Sequence, residues 1–300
     1  MAHRLLPVGS RAIRSGASVT PSLAGRPGCG LPAAPPLLSI RAETCDVSPC
    51  LRAPYHRPVP ADDSRKQAEI DYPQAAGEEG RAWIRSKPFG HDPRETARFL
   101  IDFGYVLQLL DLHVGSSLVE LGCGSGWMTR LAAQHGVQAE GYDISPEMIE
   151  IAREEAAREG LEVTFEAGDY EQLDLGGRFD ACLLYDALHH SERPELVLAA
   201  AKRALKPGGR LLLAEPNWKQ RFQGRGAADT YGTTELGYSP RHLKKLLRDA
   251  GFTDIRRFHN NRKRLFSNTP ADTAAHVAEP ITYRLLAPFW TQIWLRARAG

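Results

Sequence analysis

The chain has 300 residues, 42% of them hydrophobic and 25% charged, with a net charge of +2. That length holds one large domain or two small ones. The near-neutral balance, with no basic stripe in the body of the chain, argues against a nucleic-acid partner.

The first sixty residues stand apart. They hold ten of the 21 prolines, seven arginines, no lysine and two acids, Glu43 and Asp46, which gives +5 for this stretch and about −3 for the remainder. No apolar period survives here, so residues 1–60 are expected to be a disordered extension. Three origins stay open: an organelle transit peptide, a functional tail, or upstream sequence translated from a wrongly assigned start. Pro7 directly follows Leu5-Leu6, which leaves no secretory core. No apolar run approaches the roughly 18 residues of a membrane helix. Cys29, Cys45 and Cys50 lie in this stretch. Cys45-x4-Cys50 with His56 is not a zinc spacing and lacks a fourth ligand, so no metal is expected. Cys123 and Cys182 fall at positions predicted to be buried, which fits a reducing, cytoplasmic setting; a real transit peptide would make it mitochondrial.

Residues 61–90 are mixed and polar, with Trp83, Ile84 and Phe89 as isolated apolar anchors, and the stretch from Trp83 to His91 is a candidate contact of the ligand site. Asp92-Pro93-Arg94-Glu95 reads as a helix start with a cap, a first-turn proline and a capping-box acid. Ala97, Leu100, Ile101, Val106, Leu107 and Leu110 continue it as an apolar face expected to pack beside a sheet and partly cover a ligand cleft.

An apolar run from Ser117 to Leu121 then stops in Gly122-Cys123-Gly124-Ser125-Gly126-Trp127, and a helical pattern follows to His135. Strand, glycine turn and helix in that order bring free N–H groups and bare backbone to one point. A dinucleotide fingerprint requires G-x-G-x-x-G. Here the spacing is G-x-G-x-G, and Glu120 precedes it by two positions. A second strand, Val137 to Tyr142, ends at Asp143, where a carboxylate about 20 residues past the glycines is placed to accept from ribose hydroxyls.

Ser145-Pro146-Glu147 opens a helix to about Arg158. Val163 to Glu166 is a third strand ending at Gly168-Asp169-Tyr170, and Phe179 to Tyr185 a fourth, nearly all apolar as a central parallel strand should be. It ends at Asp186-Ala187-Leu188-His189-His190. A helix from Pro194 to Leu205, a turn at Lys206-Pro207-Gly208-Gly209 and a fifth strand from Arg210 to Ala214 follow. Ser239-Pro240 caps a helix with Leu243, Leu246 and Leu247 on one face. Phe252 to Phe258 and Ile293 to Ala297 complete the strands, the last one antiparallel. Residues 217–238, with Trp218, Phe222 and Tyr231, read as a lid. Residues 262–290, opening on Arg262-Lys263-Arg264, read as a second insertion that covers the acceptor pocket or makes a homodimer contact.

Four blocks in this order, Val119 to Gly126, Gly141 to Ser145, Ala167 to Asp169 and Leu205 to Gly209, resemble the class I S-adenosylmethionine (SAM)-dependent methyltransferases. The resemblance covers roughly Arg94 to Phe258, and Leu188-His189-His190 is similar to the small-molecule, quinone-biosynthesis-like branch. It implies an α/β, Rossmann-like, doubly wound seven-stranded sheet with an antiparallel last strand, formed by residues 61–300. It implies SAM as cofactor. Glu120 and Gly122, Cys123, Gly124, Ser125 and Gly126 would hold the methionine part. Asp143 would bind the ribose, Gly168, Asp169 and Tyr170 the adenine, with Ile144 and Met148 flanking it. Tyr185, Asp186 and Ala187 would border the methyl group, and His190 or His189 could serve as general base. The expected activity is methyl transfer to a small-molecule or lipid- or sugar-linked acceptor. A non-catalytic SAM-binding or partner-subunit relative, a NAD-dependent oxidoreductase and another reaction on the same fold are the alternatives.

Overall fold

The structure is a computed structural model and describes residues 63–90, 92–217, 230–258 and 292–300. Residues 1–60, His91, Trp218, Phe222 and the insertion 262–290 lie outside the described residues. Seven strands form one sheet: β1 (Ser117–Leu121), β2 (Gln138–Asp143), β3 (Thr164–Ala167), β4 (Phe179–Tyr185), β5 (Leu205–Pro216), β6 (Phe252–Phe258) and β7 (Gln292–Ala299). Their order is β3-β2-β1-β4-β5-β7-β6. The pairings among β1 to β5 are parallel, and β7 runs antiparallel to both β5 and β6. This is the expected fold class.

Among the described residues seven α-helices accompany the strands: α1 (Asp63–Ala75), α2 (Gly77–Ser86), α3 (Pro93–Leu110), α4 (Trp127–Gln134), α5 (Pro146–Arg158), α6 (Pro194–Ala204) and α7 (Pro240–Asp249). Alternation along the central strands decides what each face buries. Ala181 and Leu183 of β4, with Leu212 and Ala214 of β5, meet Phe99, Phe103 and Val106 of α3 and Met128 of α4. Cys182 and Leu184, with Leu211 and Leu213, meet Val197, Leu198 and Ala201 of α6 and Leu243 and Leu247 of α7. Both faces are covered, so Ala181 to Leu184 and Leu211 to Ala214 are apolar at every position.

The mixed, polar stretch before α3 holds α1 and α2, for which the sequence offered no helix reading. Two expectations need correction. Helix α3 buries Phe99, Phe103, Val106 and Leu110, whereas Leu100 and Ile101 of the predicted face stay 42% and 39% exposed. The turn at Lys206–Gly209 is absorbed into β5. Its pairing with β4 steps from Phe179↔Leu205 to Ala181↔Arg210, so the extra residues bulge from the strand without ending it. Among the described residues no helix is long and apolar enough to cross a membrane.

Candidate functional site

The sheet order reverses between β1 and β4, and a cleft of about 400 Å³ opens at the carboxyl ends of β1, β2 and β4. Open α/β sheets place ligands at this switch point. The glycine turn forms its floor. Gly122, Gly124 and Gly126 all adopt positive φ, yet space constrains them differently. A Cβ on Gly122 would lie 2.6 Å from the Ala187 Cβ, and one on Gly126 would lie 2.5 Å from the Phe165 ring. A Cβ on Gly124 would meet nothing within 4 Å, so close ligand approach is possible there. The hydroxyl of Ser125 is buried with no partner among the described residues. An orphaned donor beside a bare glycine fits a polar ligand on this turn.

Glu120 is buried, and one carboxylate oxygen accepts from the Thr129 N–H at 3.1 Å and from the Thr129 hydroxyl. Helix α4 has glycine at its N-cap and therefore no side-chain cap of its own. Glu120 reaches across from β1 and supplies one. Burial pushes its carboxyl up to about 8, against the lowering effect of Thr129. Asp143 Oδ2 accepts from the Gly124 N–H at 2.8 Å, and Oδ1 accepts from the Ser145 N–H at 2.9 Å. Burial raises its carboxyl, and these two bonds oppose the rise. The β2 tip is thereby tied to the turn at the tip of β1.

At the end of β4, Glu215 on β5 clamps the following loop. Its oxygens accept from the N–H groups of Ala187 (3.3 Å), Leu188 (2.9 Å) and His189 (3.3 Å), and it lies 2.9 Å from His189 Nδ1. The opposite ring nitrogen, Nε2, is 3.8 Å from Glu235 Oε2, and His189 and Glu235 both line the cleft. His190 stacks beside His189 with ring centroids 3.9 Å apart. Its Nδ1 lies 3.2 Å from Glu69 Oε1 and 3.1 Å from the Thr234 carbonyl. Burial pulls the His190 pKa down, but the bond and charge of Glu69 prevail and raise it to about 10. His189, His190 and Glu235 have ligand atoms within 4.8 Å of one another and could hold a metal. Both Nδ1 atoms already have partners, so the arrangement serves equally to aim His189 at the cleft.

Glu120, Gly122, Cys123, Gly124, Ser125, Asp143, Ile144, Met148, Tyr170, Tyr185, Asp186, Ala187, His189 and His190 all line the cleft. Gly126, Gly168 and Asp169 are not among the lining residues. Gly126 packs on Phe165. A Cβ on Gly168 would sit 3.2 Å from Leu173. Asp169 pairs with Lys66 Nζ at 2.6 Å, and Lys66 also holds Glu171 at 2.6 Å. Tyr170 lies over Gly122 and donates its hydroxyl to the Ala187 carbonyl at 3.3 Å. Sequence reasoning missed Glu69, Tyr72 and Arg98 as lining residues, and Glu215 behind them, while Lys87 and Glu235 fall in the stretches 83–91 and 217–238 that it placed near the site. Glu215 ends a strand, as Asp143 does, and that placement was the available signal.

Residues 119–213 match the family model described as a methyltransferase domain. The matched stretch runs from β1 into β5 and contains the glycine turn and the Asp143 strand end. The chain is similar to a ubiquinone biosynthesis O-methyltransferase of Xanthomonas oryzae, at 33% identity over 115 residues, 38% of this chain and 48% of that protein. It is also similar to a SAM-dependent Diels-Alderase of Talaromyces variabilis, at 30% identity over 164 residues, 49% of this chain and 56% of that protein. The matches thus span about half the length of these curated relatives. Phosphoethanolamine N-methyltransferase 2 of Haemonchus contortus, solved in complex with SAM, shares the fold. Its TM-score is 0.53 at 16% identity, covering 77% of this chain and 59% of that one.

Proposed function

We propose that this protein is a SAM-dependent methyltransferase for a small-molecule acceptor. The observation that carries this is the pairing of Asp143 with Gly124 across the tips of β2 and β1, beside the unpartnered Ser125 hydroxyl and inside a matched methyltransferase domain. SAM brings a methyl group already activated on a sulfonium, so the protein's work is positioning and exclusion of water. Asp143 would accept from the ribose hydroxyls and Gly124 would admit the ligand against bare backbone. Ser125 would donate to the methionine part, and Ile144 and Met148 would flank the adenine. Tyr185 to Ala187 would border the reacting end.

Where the acceptor must lose a proton, His189 is the base. Glu215 on Nδ1 leaves Nε2 to take the proton and stabilises the imidazolium that results. His190, raised to about 10, is already protonated at neutral pH and serves to tie Glu69 to the loop. The free, buried thiols of Cys123 and Cys182 support a reducing, cytoplasmic setting.

Calorimetric titration of the full chain with SAM, S-adenosylhomocysteine and NAD tests this. Micromolar binding of the adenosyl ligands, lost in Asp143→Ala and absent for NAD, is the expected result. A folded sample that binds neither adenosyl ligand refutes the proposal. The similarity to the Diels-Alderase supports a second reading, in which the same cleft holds SAM without spending it. Acceptor turnover with SAM recovered intact would select that reading.

A further inference from the structure

His189 and Glu235 come to the cleft from different parts of the chain, and each is aimed by its own restraints. His189 follows β4, and its Nδ1 lies 2.9 Å from the Glu215 carboxylate. Nδ1 therefore carries the proton and donates it, which leaves Nε2 of the neutral ring with a lone pair. Glu235 is pinned through both of its neighbours. The Thr234 N–H donates to Glu69 Oε1 at 2.8 Å, and the Leu236 N–H donates to the His189 carbonyl at 2.9 Å.

These restraints set Nε2 of His189 3.8 Å from Oε2 of Glu235. That is beyond hydrogen-bond length, and both atoms are acceptors. Among the described residues neither receives a hydrogen bond. Two fixed acceptors this close call for a donor that serves both. A hydroxyl has one hydrogen and satisfies one of them. A protonated amine has at least two until it is tertiary, and its charge matches the surroundings. Glu69, Glu215 and Glu235 bring three formal negative charges here, against the one positive charge of His190. A nitrogen about 2.8–2.9 Å from each acceptor completes a triangle on the 3.8 Å base.

We propose that His189 and Glu235 together form the acceptor subsite for a protonated amine, so that this cleft carries out N-methylation. Binding at the subsite stands on its own geometry; the transfer rests on the methyltransferase proposal. The ammonium gives one proton to His189 Nε2. Its freed lone pair forms the N–C bond as the C–S bond of the sulfonium breaks, and the sulfur keeps that electron pair in S-adenosylhomocysteine. His189 then returns its proton to water, while Glu235 holds the remaining N–H. A primary or secondary ammonium bridges the two acceptors. A tertiary one has a single N–H and does not, so transfer stops after the second methyl group.

The test uses the full chain and its Glu235→Gln variant, with probes matched except at the accepting atom. The pairs are benzylamine with benzyl alcohol, 2-phenylethylamine with 2-phenylethanol, and glucosamine with glucose. Calorimetry at pH 7, with and without S-adenosylhomocysteine, reads binding, and methyl-tritiated SAM reads transfer. At least one amine should bind at least about tenfold more tightly than its alcohol and take up label on nitrogen. The N-methyl form of that amine should keep the preference, and the N,N-dimethyl form should lose it. Glu235→Gln places an amide donor opposite His189 and should abolish the preference in protein that is folded by circular dichroism. Glu235→Asp keeps a carboxylate and should restore part of it. Alcohols that bind as well as their amines, a set in which no amine binds, or a preference that survives Glu235→Gln overturns the subsite. So does a divalent cation that copurifies at one per chain and is lost in Glu235→Gln, since it would satisfy the same two acceptors. Protein that binds no adenosyl ligand would end the methyltransferase reading, and the amine–alcohol comparison without cofactor would still decide the subsite.

Discussion

The two sides of the cleft are built from different materials. On the β1–β2 side the surface is mainly backbone: glycines at positive φ, N–H groups that end on Asp143, and a helix start capped from a neighbouring strand by Glu120. On the β4 side, and where α1 to α3 approach it, the surface is long side chains held by charge. Glu69 meets His190, Glu215 meets His189, and Lys87 sits on Trp83. A backbone surface tolerates little change and suits a ligand that stays the same. A side-chain surface can be rewritten one residue at a time and suits the partner that differs between relatives.

Five experiments would break or sharpen that contrast. His189→Gln should lower kcat by about 10²–10⁴ in turnover assays with an acceptor that must lose a proton. His190→Gln should stay within a few-fold. On the backbone side, Gly126→Ala should cost about 3 kcal/mol or more in denaturant melts, from strain at positive φ and the collision with Phe165. Gly124→Ala should cost only the backbone strain of about 1–2 kcal/mol but lose SAM affinity in calorimetry, because the space its methyl would fill belongs to the ligand. If the two glycine variants behave alike, the separation of packing from binding is wrong.

The fourth experiment uses pH. The His190 pKa is about 10 in the folded chain against 6.5 for a free histidine. A raised folded pKa gives stability that is complete below about 6.5 and is lost as pH rises through 10. The Tm should therefore fall between pH 7 and 10 in the wild type, and fall less in Glu69→Gln, which lacks the charge that raises His190. Last, Asp249→Asn, which removes an exposed pair with Lys245 on α7, should change stability by no more than about 0.5 kcal/mol.

The legible parts of the chain were those whose cause is local. Phe179–Tyr185 reads as a buried strand because every position but Asp180 faces a packed layer. Asp92 reads as a cap and is one, accepting from the Arg94 N–H at 2.8 Å. Helix α1 has no such signature. Only Pro73 of its described side chains is buried, and polar contacts attach it: Lys66 to Asp169, 103 residues downstream, Glu69 to the Thr234 N–H, and the Ile70 carbonyl to the Ser145 hydroxyl. A helix held by distant charges leaves no apolar period to read. For the same reason Asp169 could be placed at a strand tip from sequence, while its engagement by Lys66 could not. Lys87 falls in the stretch from Trp83 to His91 that the sequence placed near the ligand site, but its seat on the Trp83 ring had no local mark.

Strand β7 carries a consequence for how the protein is made. It is the last described strand to leave the ribosome, yet it fits between β5 and β6, pairing with β5 from Arg210↔Arg298 to Pro216↔Gln292. Until residues 292–299 emerge, β5 presents an open parallel-sheet edge and β6 has no neighbour at all. Such an edge is a template for pairing with other chains. The nascent protein must keep that slot vacant through about eighty residues of further synthesis, at roughly 5–20 residues per second, a wait of some seconds. Chaperone dependence should therefore concentrate late in translation, and a fusion partner that hinders the final strand should harm yield more than one placed before α1.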